Sequence, residues 1–206
     1  VKKFPKMHET LPETKRFTDE ELVKLLNRMT AGDFKDILLF GLLTGLRPQE
    51  LRGLKKDHVM RDAQGALYIY IEKHKTATMT HLPKPRSVPL VPEAVEIYKR
   101  QMQSHPDTDH LFVNGQGNPY KQYSFRQRLM RWCKRAGIKE RSPYALRHTF
   151  GSLEAEANVN QAVIAQVMGH QVLQTTTRYI ANNYQHHKTA VRAISSRITS
   201  SMAHTA

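Results

Sequence analysis

Apolar residues recur at helical spacing through much of the 206-residue chain. The clearest stretch begins with Leu22, Leu25 and Leu26, whose spacing places them on one face of a helix. Thr18 precedes this stretch and Glu21 follows it three residues later, the pattern of a capping box that satisfies the free N–H groups of a helix start. The pattern therefore predicts a first helix that begins just after Thr18.

A second predicted helix, at 33–43, is apolar nearly all round, which is typical of a helix buried on every side. Further helical segments are predicted at 92–104, at 120–136, from 143 onward, at 159–168 and at 175–181. Short apolar runs predict strands at Leu67–Ile71 and Ser87–Leu90, with His110–Val113 as a third. Together these patterns predict a mainly α fold, of the α+β class, with a small antiparallel β-sheet at one edge.

The two strands before and after residue 80 are joined by a basic loop that holds Lys73, Lys75, Lys84 and Arg86. Charged side chains are rarely buried without a partner. We therefore expect most of this loop to be a solvated, charged turn.

Net charge is the most informative property of the composition. The chain carries 32 Lys and Arg residues against 18 Asp and Glu, a net charge of +14, spread along its whole length. An excess of this size favours a polyanionic partner, most simply nucleic acid, over a merely basic soluble protein or an anionic membrane surface. In the predicted helix 120–136 we expect contacts with a DNA backbone from Lys121, Arg126, Arg128, Arg131 and Lys134.

A single cysteine, Cys133, excludes an internal disulfide and fits a reducing compartment. We expect it to be a buried small hydrophobe. No apolar run is long enough to span a membrane, and no signal-peptide pattern is present. The chain begins with valine, from which we expect a fragment of a longer protein.

Arg47 is the first candidate for chemistry. Gly45 ends one predicted helix and Pro48 suits the first position of the next, so Arg47 lies at a helix N-terminus. The helix macrodipole disfavours a cation there by ~0.3–1 kcal/mol, and a cation placed there favours an anion as its ligand. The alternative is that Glu50, three residues later, simply pairs with Arg47.

A second group of candidates lies between Tyr144 and Tyr179. Tyr144 and Arg147 are three apart and share a helix face, and His170 follows a glycine just after an apolar run. Tyr179 comes nine residues later in a threonine-rich segment. An arginine fork, an imidazole and a phenol together suit a phosphodiester, since a phenol can attack the phosphorus.

Two histidine features in the same region favour simpler interpretations. His148 follows Arg147, and we expect it to be a core histidine. The pair His186-His187 has no third ligand at metal-site spacing, so no metal site is predicted.

The run Leu146-Arg147-His148-Thr149-Phe150, the pair Gly169-His170 and Tyr179 together resemble the signature of the tyrosine recombinase (phage integrase) family. The resemblance covers about residues 17–185 and implies that family's catalytic-domain fold. It implies that Arg47 and Arg147 clamp the scissile phosphate, that Glu50 steadies the arginines, and that His170 hydrogen-bonds the phosphate. Tyr179 is then the nucleophile that forms a covalent 3′-phosphotyrosine, without a metal ion or another cofactor. Tyr184, the other tyrosine nearby, lies at the wrong distance from His170 for the family pattern.

Two positions depart from the family pattern. Tyr144 stands where the family most often has histidine; a phenol is a poor base at neutral pH, so we assign Tyr144 to phosphate contact or positioning. The family's general-acid lysine usually lies close before the Arg-x-Val-Pro-Leu run. Lys75 is the expected acid because it directly follows a predicted strand, with Lys73 and Lys84 as alternatives.

The resemblance also implies an organisation and partners. Residues 1–16 are expected to be a linker from an N-terminal DNA-binding region, 17–185 the catalytic domain, and 186–206 a tail that docks on a neighbouring protomer. The expected partner is double-stranded DNA, bound by a homotetramer. The protein is expected to be encoded by a bacterium or a phage and to lie in the cytoplasm, at the nucleoid and not at a membrane. Two other functions stay open: a non-catalytic DNA-binding module of the same fold, and strand relaxation of the type IB topoisomerase kind.

Overall fold

The computed structural model describes residues 15–72 and 85–169. Within these residues the elements, in chain order, are α1 (Asp19–Arg28), α2 (Asp33–Thr44), α3 (Pro48–Arg52), a 3-10 turn (Lys56–His58), β1 (Val59–Arg61), β2 (Leu67–Ile71), β3 (Arg86–Pro89), α4 (Pro92–Ser104), α5 (Gln122–Arg135), α6 (Tyr144–Glu156) and α7 (Gln161–Met168). The predicted mainly α fold with a small antiparallel sheet is confirmed.

Helix α1 begins as its sequence predicts. The Thr18 hydroxyl accepts a hydrogen bond from the Glu21 amide at 3.2 Å, and the Glu21 carboxylate accepts one from the Thr18 amide at 2.9 Å. This reciprocal cap satisfies two of the N–H groups that a helix start leaves free. The leucines at 22, 25 and 26 are buried, so the capped helix enters the core along its apolar face.

Helix α2 runs through the centre of the core and packs against α4 and α6. Its aromatic residue Phe40 meets Phe112 edge to face, with ring centroids 5.1 Å apart. The helix ends at Gly45, whose φ of +61° is the left-handed conformation that favours glycine. A Cβ on Gly45 would lie within 2.8 Å of three ring carbons of Phe150 in α6. Glycine therefore permits both the helix end and the close approach of α6.

The sheet is antiparallel in the order β1-β2-β3, with Ile69 of β2 opposite both Val59 and Val88. One predicted strand is wrong. The segment His110–Val113 forms only isolated bridges, His110 with Lys55 and Val113 with Pro119, and the third strand is β1. Residues 111–113 are all fully buried, so their apolar run reflects a segment enclosed by the core and not a half-buried strand.

The C-terminal part of the described chain holds α5, α6 and α7. Helix α5 starts after Tyr120, which instead packs its ring against Phe34 and Phe125 in the core. Cys133, on the inner face of α5, is buried as expected, and burial raises the pKa of its thiol. The predicted helix 175–181 lies outside the described residues. No helix in the described ranges combines the length and apolar character needed to cross a membrane.

Candidate active site

Three arginines from three different elements converge on the C-terminal end of α7. Arg47 is the residue immediately before α3, Arg86 is the first residue of β3, and Arg147 lies in α6. The packing of α2 on α6 and of α7 on both α6 and β3 brings these elements together. We call Arg47, Arg86 and Arg147 the arginine cluster.

Each arginine of the cluster donates a hydrogen bond to a different carbonyl at the end of α7. Arg86 Nε donates to the carbonyl oxygen of residue 167 at 2.9 Å, Arg147 Nη2 to that of residue 168, and Arg47 Nη2 to that of residue 169 at 2.7 Å. The last carbonyls of a helix have no partner within the helix and carry the negative end of its dipole. The end of α7 therefore holds the three guanidinium groups close to one another.

Glu50 supplies the carboxylate of the site. Its Oε2 accepts from Arg86 Nη2 at 2.6 Å and from the Arg47 amide at 2.8 Å, while its Oε1 accepts from Arg47 Nη1 at 3.0 Å. Burial by itself raises the pKa of Glu50, but the hydrogen bond and charge of Arg86, followed by the contacts with Arg47, outweigh it and hold the pKa below its usual value. Glu50 is therefore ionised at neutral pH.

Arg147 is buried and donates from Nη1 to the carbonyl of Gly45 at 2.8 Å as well as to the end of α7. Burial, and after it the charges of Arg47 and Arg86, lower the pKa of Arg147 to about 10, which leaves it charged at neutral pH. Three cations face one carboxylate here, so the described side chains of the cluster leave two positive charges uncompensated. Such a site is suited to an anion.

Arg47 and Tyr144 are the predicted catalytic residues of the described chain that are exposed to solvent. The Arg47 side chain is 29% exposed although it pairs with Glu50, so the pairing and the capacity for an external anion coexist. Tyr144 is 52% exposed in the first turn of α6, three residues before the buried Arg147. Of the three arginines of the cluster, Arg47 is therefore the one that a ligand from solvent would meet first.

The other predicted catalytic residues and their alternatives lie outside the described residues. These are Lys75 with its alternatives Lys73 and Lys84, and His170, Tyr179 and Tyr184. Gly169, the last described residue, has a φ of +69° and ends α7, as the sequence predicts for the glycine before His170.

Comparisons with known proteins show the family of the chain. The sequence profile of the phage integrase family matches residues 15–186, which is most of the chain. The chain belongs to the phage integrase family. The resemblance seen in its sequence is thereby confirmed.

Two relatives in the family are named tyrosine recombinases. The chain is 30% identical over 192 residues to the tyrosine recombinase XerA of Pyrococcus furiosus, covering 91% of this chain and 63% of that protein. It is 28% identical over 194 residues to XerC of Neisseria meningitidis serogroup B, covering 89% and 60%. The chain thus spans less than two thirds of the length of these relatives. The Tn1549 transposon integrase, solved in complex with circular intermediate DNA, has a TM-score of 0.63 at 19% identity, over 82% of this chain and 66% of that one, which supports the same fold.

Arg86 is a member of the cluster that the sequence interpretation missed. It was expected in a solvated loop, but it begins β3, is buried, and pairs with Glu50. The alternation of side chains along a strand indicates that Arg86 is buried, because Arg86 is two residues before the buried Val88 and therefore points to the same face. An arginine on the buried face of a strand needs a carboxylate partner, and Glu50 provides it.

Helix α5 and the residue before it present most of the predicted DNA-contacting side chains to solvent, namely Lys121, Arg126, Arg131 and Lys134. Arg128 differs, because its guanidinium lies 4.6 Å from the centroid of the Phe34 ring and is only partly exposed.

Another expectation is wrong: His148 is exposed and not part of the core, since the position after Arg147 on α6 faces outward. Within residues 15–72 and 85–169 no three His, Cys, Asp or Glu side chains are grouped as metal ligands.

Proposed function

We propose that this chain is the catalytic part of a site-specific DNA recombinase that cleaves and rejoins strands through a covalent 3′-phosphotyrosine. The observation that carries the proposal is the arginine cluster, in which three buried or half-buried guanidinium groups face one carboxylate. The cluster is positively charged and is held by the end of α7, which is followed in the chain by His170. Such a cluster suits a phosphodiester. Membership of the phage integrase family supports the same substrate.

In the proposed reaction the phenolic oxygen of Tyr179 attacks the phosphorus while the bond from phosphorus to the 5′ oxygen breaks. The phenolic proton passes to a base or to water, and Lys75 protonates the leaving 5′ oxygen. The phosphotyrosine conserves the energy of the broken bond, so the 5′-hydroxyl of another strand reverses the step. The proposed chemistry involves no metal ion and no nucleotide cofactor.

Arg47 and Arg147 stabilise the charge that develops on the non-bridging oxygens. Each of these guanidinium groups has five N–H groups and uses two of them in its hydrogen bonds to described side chains and carbonyls. Those bonds fix the plane of each fork before substrate arrives, and groups fixed in advance stabilise a transition state without further reorganisation. His170 adds a hydrogen bond to the phosphate, and Tyr144, exposed at the mouth of the site, contacts or positions it.

Double-stranded DNA is the proposed partner, and α5 is the proposed surface for its backbone. The exposed basic residues of α5 can exchange solvent and counterions for phosphates, an interaction that depends strongly on salt. Exchange of strands between two sites requires several copies of the chain, and we propose the tetramer.

Covalent trapping tests the proposal. A pool of nicked duplexes of randomised sequence is incubated with the chain, and the DNA linked to protein under denaturing conditions is recovered and sequenced. We expect the wild-type chain to form an adduct on a defined sequence, Tyr184→Phe to retain it, and Tyr179→Phe to lose it while still binding that sequence. Absence of any adduct from the wild-type chain favours the non-catalytic binding module.

An adduct that persists in Tyr179→Phe and disappears in Tyr184→Phe contradicts the choice of nucleophile. The recovered sequence then separates the two enzymatic alternatives. A recombinase exchanges strands between two such duplexes, whereas a topoisomerase-like enzyme only relaxes a supercoiled circle that carries one of them.

A further inference from the structure

We propose that Arg86 is a positioning residue for the chemistry of the arginine cluster: it holds Glu50 and the end of α7 so that Arg47 is presented to the phosphate. The inference rests on the proposed function of the cluster. It concerns a residue that cannot itself contact DNA in this conformation, because only 4% of its side chain is exposed.

Arg86 lies against both of the residues that hold the guanidinium of Arg47, namely Glu50 and Gly169. Arg47 donates from Nη1 to Glu50 Oε1 and from Nη2 to the carbonyl of Gly169. Arg86 donates to the other oxygen of the same carboxylate at 2.6 Å. The carboxylate of Glu50 thus lies between the two arginines, with one oxygen directed to each guanidinium.

The second contact of Arg86 is with the end of α7. Arg86 Nε donates to the Val167 carbonyl, and a Cβ built on Gly169 would lie 3.0–3.1 Å from three atoms of the Arg86 side chain. The guanidinium therefore packs directly against the α-carbon of Gly169, whose carbonyl accepts from Arg47. Moving or removing Arg86 would release both supports of Arg47 at once.

The contact between Arg86 and Glu50 affects the pKa of Glu50. Among residues 15–72 and 85–169, the charged groups that face Glu50 are Arg86 from β3, Arg47 beside its own helix and Arg147 from α6, while α7 contributes backbone carbonyls. Burial is the largest influence on the pKa of Glu50 and acts to raise it, and Arg86 provides the two largest opposing effects. Without Arg86 the pKa of Glu50 rises, and a protonated Glu50 no longer forms an ion pair with Arg47.

The first test uses Arg86→Met on the duplex recovered by covalent trapping. At neutral pH we expect single-turnover cleavage to slow on the order of 100-fold, the effect of misplacing a catalytic group by about an ångström, while the affinity for DNA changes less than about twofold. Arg61→Met is the matched control, since Arg61 is an exposed arginine of the same sheet and its loss changes the net charge equally.

The pH profile separates positioning from general damage. In Arg86→Met we expect cleavage to fall on the acid side at a higher pH than in the wild type, because Glu50 becomes protonated there. Glu50→Gln in the Arg86→Met background should remove that acid limb. Arg86→Lys should restore the wild-type profile, because it restores the charge beside Glu50, but only part of the rate, because an ammonium cannot reproduce the two directed bonds of the fork. An unshifted profile in Arg86→Met, or full activity of that variant, overturns the proposal.

A measurement without DNA tests the same contact if no variant cleaves. In the wild type the folded-state pKa of Glu50 is lowered, so its ion pairs stabilise the fold above the unfolded pKa and that stability is lost as pH falls through the folded pKa. The deficit in Tm of Arg86→Met should therefore be smallest near pH 4 and widen toward about pH 7. A Tm deficit that is equal at every pH contradicts the role of Arg86 on Glu50. A wild-type chain that forms no covalent adduct contradicts the proposed function, but it does not affect the interpretation of the Tm measurement.

Discussion

The arginine cluster and the basic helix α5 use the same kind of residue in opposite environments. In the cluster, each guanidinium is fixed by hydrogen bonds to a helix end, and Arg86 and Arg147 are buried. On α5, Arg126 and Arg131 extend into solvent. The fixed arginines have a set direction, whereas the solvated ones contribute mainly their charge.

The difference explains how one basic chain would combine the two proposed functions, binding of DNA and cleavage of its strands. Solvated charges attract a polyanion and release its counterions without a large desolvation free energy, but they discriminate little between positions along the polyanion. Charges fixed in a desolvated site are costly to place, as the lowered pKa of Arg147 indicates, and they act strongly on one phosphate.

Glu50→Gln should lower the free energy of unfolding by about 3–5 kcal/mol, because it leaves buried arginine charge without its carboxylate. The matched control is Glu96→Gln, which removes a carboxylate that is 65% exposed and pairs with Lys99 at the surface of α4. An exposed pair contributes about 0–1 kcal/mol. Denaturant unfolding of the two variants measures the difference, and equal losses would contradict the view that the cluster is a buried ionic site.

Gly45→Ala should destabilise the chain by about 2–5 kcal/mol, the sum of left-handed backbone strain and overpacking against Phe150. Gly137, which follows α5, is a suitable control: its φ is +65°, but a Cβ there would meet nothing within 4 Å. Gly137→Ala should therefore lose only the strain, about 1–2 kcal/mol. The same unfolding experiment compares them, and a loss at Gly45 no greater than that at Gly137 would mean that Phe150 moves aside and that α6 is not held tightly against α2.

Arg128→Gln should have the smallest effect on stability, about 0.5–1 kcal/mol, because its guanidinium lies over the Phe34 ring. Arg126→Gln, on the exposed side of the same helix, should change stability by less than about 0.5 kcal/mol. Thermal unfolding of both variants checks this. Indistinguishable Tm values would place Arg128 with the solvated arginines of α5 and not with the core.

Local signals made much of this molecule predictable from its sequence. The cap of α1, the glycine that ends α2 and the position of Arg47 before α3 depend on residues only a few positions apart. The motif of α6 likewise identified Arg147 as a candidate. In each case neighbouring residues determine the geometry.

The features that were missed depend on contacts between distant segments. Arg86 pairs with Glu50, 36 residues earlier, across two elements. Arg128 packs on Phe34 from α2, and the run at 111–113 is enclosed by core that is far away in sequence. Hydrophobic periodicity describes one element at a time and does not specify which other elements cover it.

The most direct test of the contrast measures cleavage and binding on one duplex for matched variants of Arg147 and Arg131. Arg147→Lys keeps the charge and removes the fork, so we expect cleavage to fall about 10²–10³-fold while the salt dependence of binding is unchanged. Arg131→Lys should cleave normally, and Arg131→Gln should reduce the slope of log affinity against log salt by about 0.9 without slowing cleavage of bound DNA. Normal cleavage by Arg147→Lys, or slow cleavage by Arg131→Lys, would contradict the assignment of chemistry to the cluster and of binding to α5.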